Sequence, residues 1–529
     1  MTSYEVVPEP CFDIFRLPRE LPGEIMSRDL MIVKPSNQVI NSTISSNSLY
    51  EFQLANPAQM MDLNDSMILM SLNLYNTTTP GAVNGALGAV ASAFSPAFFR
   101  QVQLTIGTTV ISSSSTNAGI SQYVYNLLRW SKSAQLGNGD LDILEYLDVA
   151  VRPASASVYP PEGTLSGSQS VNIAPVLIAT TPSQVLTSTA LYVSLTDAGA
   201  VDHLANLVAT PVAGVITLGS LATINPNFNF GFYKRSQKVA YTPGAGTATF
   251  VVRIPLNRLF GFCKDGMPVV YGQPINLRFY PSLSSQYIQK TSTTIAYDYW
   301  INSMDLFLSV KKPSAAVAAR IQEALAAGAK TRLQYNDYDT FSFGAATNQT
   351  FTITLGVPSY YLTWLVLTFR PSSYFNPQTA TAASPNVGCS ICPNPIVNDD
   401  VPFTQAYITY GQQIVPAIPY GTSQADLARM YTTYQECCDT LNPAGQGSII
   451  DFEQWSQNHF LLCFDLRNRD ITGISGASPA TSLTINLQLK NAPTATLPVV
   501  GNYQVSATWF ACREVEFQAT SQGVAIVSV

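Results

Sequence analysis

Two eleven-residue stretches, Gln101 to Ile111 (QVQLTIGTTVI) and Gln405 to Val415 (QAYITYGQQIV), constrain this chain more than any other feature. They lie 304 positions apart, which matches Leu104 with Ile408, Thr105 with Thr409, Gly107 with Gly411 and Val110 with Ile414. Phe99 and Phe403 stand two residues ahead of each copy. Val102, Leu104 and Ile106 alternate as a strand with one buried face requires. A glycine then suits a tight turn or bulge, because without a Cβ it reaches φ > 0 freely.

The flanks repeat in the same order. After the first copy, Asn117 suits an N-cap, and Ile120, Tyr123, Val124, Leu127 and Leu128 follow at helical spacing. After the second, Ser423 suits a cap, and Leu427, Met430, Tyr431 and Tyr434 repeat the spacing. Upstream, alternating Tyr50, Phe52 and Leu54 answer Phe351, Ile353 and Leu355. Downstream, Ile275 to Phe279 answers Ile485 to Leu489, at an offset of only 210. A duplicated domain is the reading these matches support, with the extra residues of the first copy lying between its helix and its late strand.

The chain divides accordingly. Residues 1–45 read as an N-terminal arm, with Pro8, Pro10, Pro18, Pro22 and Pro35 blocking regular structure. Residues 46–312 form the first unit, with an insertion at about 152–233 that lacks Lys and Arg between Pro153 and Tyr233. A structureless loop of that size would be anomalous in a compact domain, so short strands are expected there. Pro80 to Phe99 is uncharged, but Gly81, Gly85, Gly88 and Pro96 interrupt it, which favours a loop or short helix over a membrane segment. Leu204 to Ile224 is likewise read as buried strands. Residues 313–329 are a linker helix with Val317, Ile321 and Leu325 as its stripe and Gly328 as its stop. Residues 330–529 form the second unit.

At 529 residues the chain is long for a single core. Its charged content is 11%, less than half the usual ~25%, so its outside is either neutral-polar or buried against other subunits. A net charge of −6 without a basic arm argues against direct nucleic-acid binding, which needs clustered Lys and Arg. Met1 to Pro10 has no apolar run of the signal-peptide kind, and eight cysteines do not suggest a disulfide scaffold, so a reducing compartment is the default.

The residues that carry chemistry are few. The two histidines, His203 and His459, stand far apart, and a cupin-type metal site needs two or more converging with a carboxylate. Cys389 and Cys392 form a CxxC that could bind zinc with Cys437 and Cys438, but adjacent cysteines seldom reach one metal, and ordinary thiols are the expectation. Asp399 and Asp400 could ligate calcium and more often form a solvated turn. No phosphate loop, nucleophile elbow or facing carboxylate pair stands out. No catalytic, cofactor-binding or metal residues are assigned, no cofactor is expected, and an enzyme is not expected.

Three stretches carry a resemblance: QVQLTIGTTVI with the helix ISQYVYNLLRW, FVVRIPLNRLFGFCKDGMPVVYGQPINLRFY, and the hinge from Met304 to Tyr335. Together they resemble the double jelly-roll major capsid proteins of the adenovirus, virophage and polinton-like virus lineage. The resemblance implies an all-β chain of two tandem eight-stranded jelly-roll β-sandwiches, with short helices and a tower-like insertion in the first. It implies a homotrimer forming a pseudo-hexameric capsomer in the icosahedral shell of a double-stranded DNA virus, assembled inside the host cell. Penton and minor capsid proteins, and an inner membrane at the capsomer base, are the implied partners. The rival reading is a β-sandwich glycan-binding or attachment protein.

Overall fold

Each half of the chain folds into two antiparallel sheets with the same strand order. In the computed structural model, residues 1–24, 132–169, 372–402, 468–482 and 490–502, most of 172–246 and several shorter connections lie outside the described residues. In the first half the eight main strands are β1 (Ile25–Val33), β2 (Tyr50–Leu54), β3 (Met60–Asn76), β4 (Phe99–Ile106), β5 (Thr109–Ser113), β6 (Thr247–Pro255), β7 (Ile275–Pro281) and β8 (Tyr297–Pro313), with Ala240–Tyr241 and Val269–Val270 as short additions to the first sheet. They pair in the orders β1-β8-β3-β6 and β2-β7-β4-β5. In the second half they are β9 (Lys330–Ser342), β10 (Thr350–Leu355), β11 (Tyr361–Pro371), β12 (Phe403–Tyr410), β13 (Gln413–Tyr420), β14 (Leu462–Asp465), β15 (Leu483–Leu489) and β16 (Tyr503–Thr520). Their orders are β9-β16-β11-β14 and β10-β15-β12-β13. Renumbered within each half, both read 1-8-3-6 and 2-7-4-5, so the protein is a tandem of two jelly rolls. A last strand, β17 (Gly523–Ser528), folds back on the end of β16.

Alternation builds each core. In β7 Ile275, Leu277 and Phe279 are buried while Asn276, Arg278 and Tyr280 are half-exposed. The Phe279 ring meets Phe52 at 5.9 Å and Phe99 at 4.9 Å between centroids. In the second sandwich Phe369, Phe403, Phe460 and Trp455 make the corresponding cluster. Each such side chain contributes about 1.5–3 kcal/mol when fully removed from water.

The repeat holds to the residue at the hairpin. Thr105 pairs with Val110 and Ile106 with Thr109, as Thr409 pairs with Ile414 and Tyr410 with Gln413. Gly107 turns the first hairpin at φ 62°, while Gly411 lies outside the described residues. The downstream match needs correction. Leu277 faces Leu104 and Phe52, whereas Ile485 faces Ile408 and Ile353. The equivalent of Ile275–Phe279 is therefore Leu483–Leu487, two residues earlier than the sequence match. A slip of two leaves every side chain on its own face, so the alternation could not reveal it.

The arm expected over residues 1–45 is also corrected. Ile25–Val33 is the first strand of the first sandwich, paired along β8. Pro22 and Pro35 bracket this segment and none interrupts it, so its backbone donors are intact. Of the uncharged stretch before β4, the described parts are a strand, Gly88–Val90, paired with Ile288–Lys290, and a single helical turn, Ser95–Phe98. Among the described residues no helix is long and apolar enough to cross a membrane. Within the insertion, Ser170–Val171 pairs with Ile216–Thr217 and Leu191–Thr196 with Asp202–Leu207. The burial expected for Leu204 to Ile224 lies outside the described residues.

Helices connect and flank the sheets: α1 (Ala118–Arg129), α2 (Leu256–Leu259), α3 (Ala315–Ala326), α4 (Gln424–Leu441) and α5 (Phe452–Gln457). The hinge helix α3 begins with Ser314 Oγ accepting from the Val317 amide at 3.4 Å, and Gly328 comes after its last turn at φ 64°. Helix α4 is capped by Ser423, whose Oγ accepts from the Asp426 amide at 3.1 Å.

Candidate functional site: the seam between the two sandwiches

Among the described residues, a dense set of buried polar contacts lies where the sandwiches meet. Helix α1 comes after β5 and enters this seam, which is why all of its residues are buried, including Ser121, Gln122, Asn126 and Arg129. The spacing of its apolar residues predicts one buried stripe. Its polar side is covered by the first unit itself, Gln122 donating to the Leu259 carbonyl at 3.1 Å, Asn126 to the Arg258 carbonyl at 3.2 Å and Arg129 to Asp265. Tyr123 and Tyr125 meet His459 and Tyr338 of the second sandwich.

Edge strand β9 is gripped on two faces by the first sandwich. Tyr335 donates to the Ile111 carbonyl at 2.8 Å, and on the opposite face Tyr338 donates to the Leu259 carbonyl. Tyr338 stacks on Tyr125 with 4.1 Å between centroids, and Phe262 meets Tyr335 edge-on at 5.2 Å. Gly261 lies so close that a Cβ there would fall 1.7 Å from the Asn336 carbonyl oxygen. Ile111 is the extra residue of a bulge, since Leu104 pairs with Ser112 and Thr105 with Val110. Its carbonyl is thereby left to accept from Tyr335 and, at 3.0 Å, from Arg513 on β16.

Two ion pairs lie in the seam. Arg513 donates to Asp337 Oδ2 at 2.7 Å, and Ser112 Oγ donates to Asp337 Oδ1 at 3.0 Å. Burial pushes the Asp337 carboxyl up, against the pull of the Arg513 guanidinium. Arg129 makes a two-pronged contact with Asp265, whose Oδ2 also accepts from the Asn336 amide at 3.1 Å and side chain at 3.0 Å. Burial disfavours the Asp265 carboxylate most, yet the Arg129 charge and these donors together hold its pKa below the usual value. Next to it, Lys264 donates to Asn442 Oδ1 at 3.1 Å. Desolvation, then the Arg129 and Arg258 charges, lowers the Lys264 pKa to about 6, with Asp265 opposing.

Of the residues the sequence singles out, His459 is part of the seam, its Nδ1 2.5 Å from the Tyr123 hydroxyl and its ring buried. His203 lies on Asp202–Leu207, and its side chain is outside the described residues. Cys389, Cys392, Asp399 and Asp400 are also outside them. Cys437 and Cys438 are buried on α4 and, with Cys263 and Cys463, are free thiols. Burial raises Cys437 well above its ordinary value and pushes Cys438 up to about 12, which disfavours the thiolate that a metal would need. The arrangement joins the surfaces of the two sandwiches. Arg129, Asp265, Asp337 and Arg513 escape a reading of the sequence; their one signal is charge inside apolar runs of a charge-poor chain.

No family model matches the chain, and no curated protein matches it in sequence. Solved structures share its fold. A chain in the structure of the Sputnik virophage matches with a TM-score of 0.53 at 9% identity, over 100% of this chain and 94% of that one. The mavirus major capsid protein matches with a TM-score of 0.47 at 8% identity, over 99% and 95% of the two chains. The Faustovirus major capsid protein matches with a TM-score of 0.46 at 9% identity, over 94% and 92%. The first of these extends the tandem jelly-roll likeness along the whole chain.

Proposed function

We propose that the chain is the major capsid protein of an icosahedral double-stranded DNA virus and trimerises into pseudo-hexameric capsomers. The observation that carries this reading is the welding of two like modules by a buried seam. A chain so built is one rigid third of a near-hexagonal block, and such a block tiles a shell through one repeated contact. The fold shared with a chain of the Sputnik virophage structure supports the reading. The work of such a protein is complementary packing with copies of itself in the virion, and no catalytic role is proposed. Penton and minor capsid proteins would complete the shell. An inner membrane at the base would take the place of direct contact with the genome, in keeping with the net charge of −6. The insertion at 152–233 would stand outward as a tower, and residues 1–24 would lie at the base.

Size-exclusion chromatography with light scattering tests this directly. The expected result is a trimer of 57.2 kDa chains, with hexagonal capsomers visible when assembled particles are imaged. A monomer retained on immobilised carbohydrate would instead establish the glycan-binding reading.

A further inference from the structure

Lys264 stands apart from the ion pairs of the seam. It lies half-exposed on the turn Phe262–Gly266, and its Nζ donates to a neutral amide, Asn442 Oδ1, at 3.1 Å. Lys311 and Lys330, by contrast, meet the carboxylates of Asp62 and Glu516. We propose that Lys264 is a carbon dioxide site, its amine taking up one molecule as a carbamate that the neighbouring Arg129 and Arg258 guanidinium groups stabilise. The proposal does not depend on the capsomer reading.

The charges around Lys264 are the first support. Arg129 and Arg258 both act on it, and one carboxylate, Asp265, opposes them. Arg258 is fixed by donating to the Arg129 carbonyl at 3.1 Å and by lying 3.7 Å from the centre of the Trp130 ring. Asp265 is already committed to Arg129 and Asn336. An ammonium at Lys264 would add a third positive charge to this group, an amine leaves one uncompensated, and a carbamate cancels it. The carbonyl end of α4, closed by Asn442, pulls the other way, but it carries only about half a charge against two full ones.

A second support is an orphaned donor. Among the described residues, Arg129 Nε is buried without an acceptor, and a carbamate brings two acceptor oxygens into its cluster.

The chemistry needs a neutral amine, since an ammonium has no lone pair to give. Burial, then the Arg129 and Arg258 charges, lowers the Lys264 pKa to about 6, so the amine is mostly unprotonated at neutral pH. Its lone pair attacks the carbon of carbon dioxide and a C–N bond forms. The electron pair of one C=O bond moves to oxygen, and Nζ releases one proton to solvent. Burial disfavours any charge at this place, so the guanidinium groups decide between amine and carbamate.

Trapping tests this on the full-length protein in bicarbonate buffer near neutral pH. Triethyloxonium esterifies carbamates, and peptide mass spectrometry then reads an ethoxycarbonyl group at each site. The expected adduct is on Lys264, rising with dissolved carbon dioxide and absent from buffer free of it. The amino terminus, ordinarily the least basic amine of a chain, reports that the trap works. A bare Lys264 beside a labelled amino terminus overturns the proposal. Equal labelling of Lys330, exposed on β9, overturns it too, because the seam then confers nothing. Carbon-labelled bicarbonate with nitrogen-labelled lysine gives a second reading that needs no reagent to enter. A carbonyl resonance split by one nitrogen supports the C–N bond, whereas an unsplit resonance reports an adventitious ion only and overturns it. Arg258→Gln is expected to lower the occupancy of Lys264 several-fold, and unchanged occupancy in the folded variant overturns the role given to the guanidinium groups. The unsubstituted protein decides the covalent step whether or not that variant folds.

Discussion

Asp265 concentrates the seam's energetics in one carboxylate, which holds Arg129, with a side chain only 1% exposed, and receives two donors from Asn336. Replacing Asp265 with Ala leaves a buried guanidinium unpaired, and a loss of about 3–5 kcal/mol is expected in denaturant unfolding. The joint change of Arg129→Met and Asp265→Leu is expected to recover most of that loss, because removing both charges also removes the desolvation cost. Lys264, beside them, links the seam to pH. Its folded pKa of about 6 lies below the ordinary 10.5, so between those values the unfolded chain binds a proton that the folded chain does not. Stability therefore rises with pH across that window, and the slope vanishes below it, where both states are protonated. Lys264→Met is expected to flatten this part of the profile in melting measured from pH 6 to pH 9, read as the difference from the unsubstituted protein.

At the scale of elements, Gly261 decides whether β9 can approach at all. A methyl at 1.7 Å from backbone oxygen cannot be relieved by a side-chain rotation, so Gly261→Ala must push β9 away from the segment around residue 261. Its expected signature in calorimetry is two separate transitions, one for each sandwich, where the unsubstituted protein is expected to show one. Strands and hairpins were legible in the sequence because one buried face per strand leaves a period of two. The same period hid the two-residue slip at Leu483–Leu487, since alternation is unchanged by any even shift. Prolines drew attention to residues 1–45 as an arm, but β1 occupies the gap between two of them. Helix α1 shows one apolar stripe, and nothing local announces that its polar residues Gln122, Asn126 and Arg129 find partners at Leu259, Arg258 and Asp265, far along the chain. Partners distant in sequence, such as Ser112 with Asp337 and Arg129 with Asp265, are set by topology, which local pattern does not encode.

For the molecule as a whole, the contrast between its two kinds of joint matters most. The joint within the chain is rich in charge pairs and hydrogen bonds, whereas β1 and β13 expose Leu30, Met31, Ile32, Ile414 and Ile418 beside Arg28, Asp29 and Gln413. Burial of apolar surface weakens on cooling and is strengthened by sulfate, while well-buried ion pairs are screened little by salt. Contacts between copies and contacts within a copy would thus respond to different conditions. Chilling a dilute preparation should shed intact subunits, each still folded as two fused modules, and warming should bring them back together.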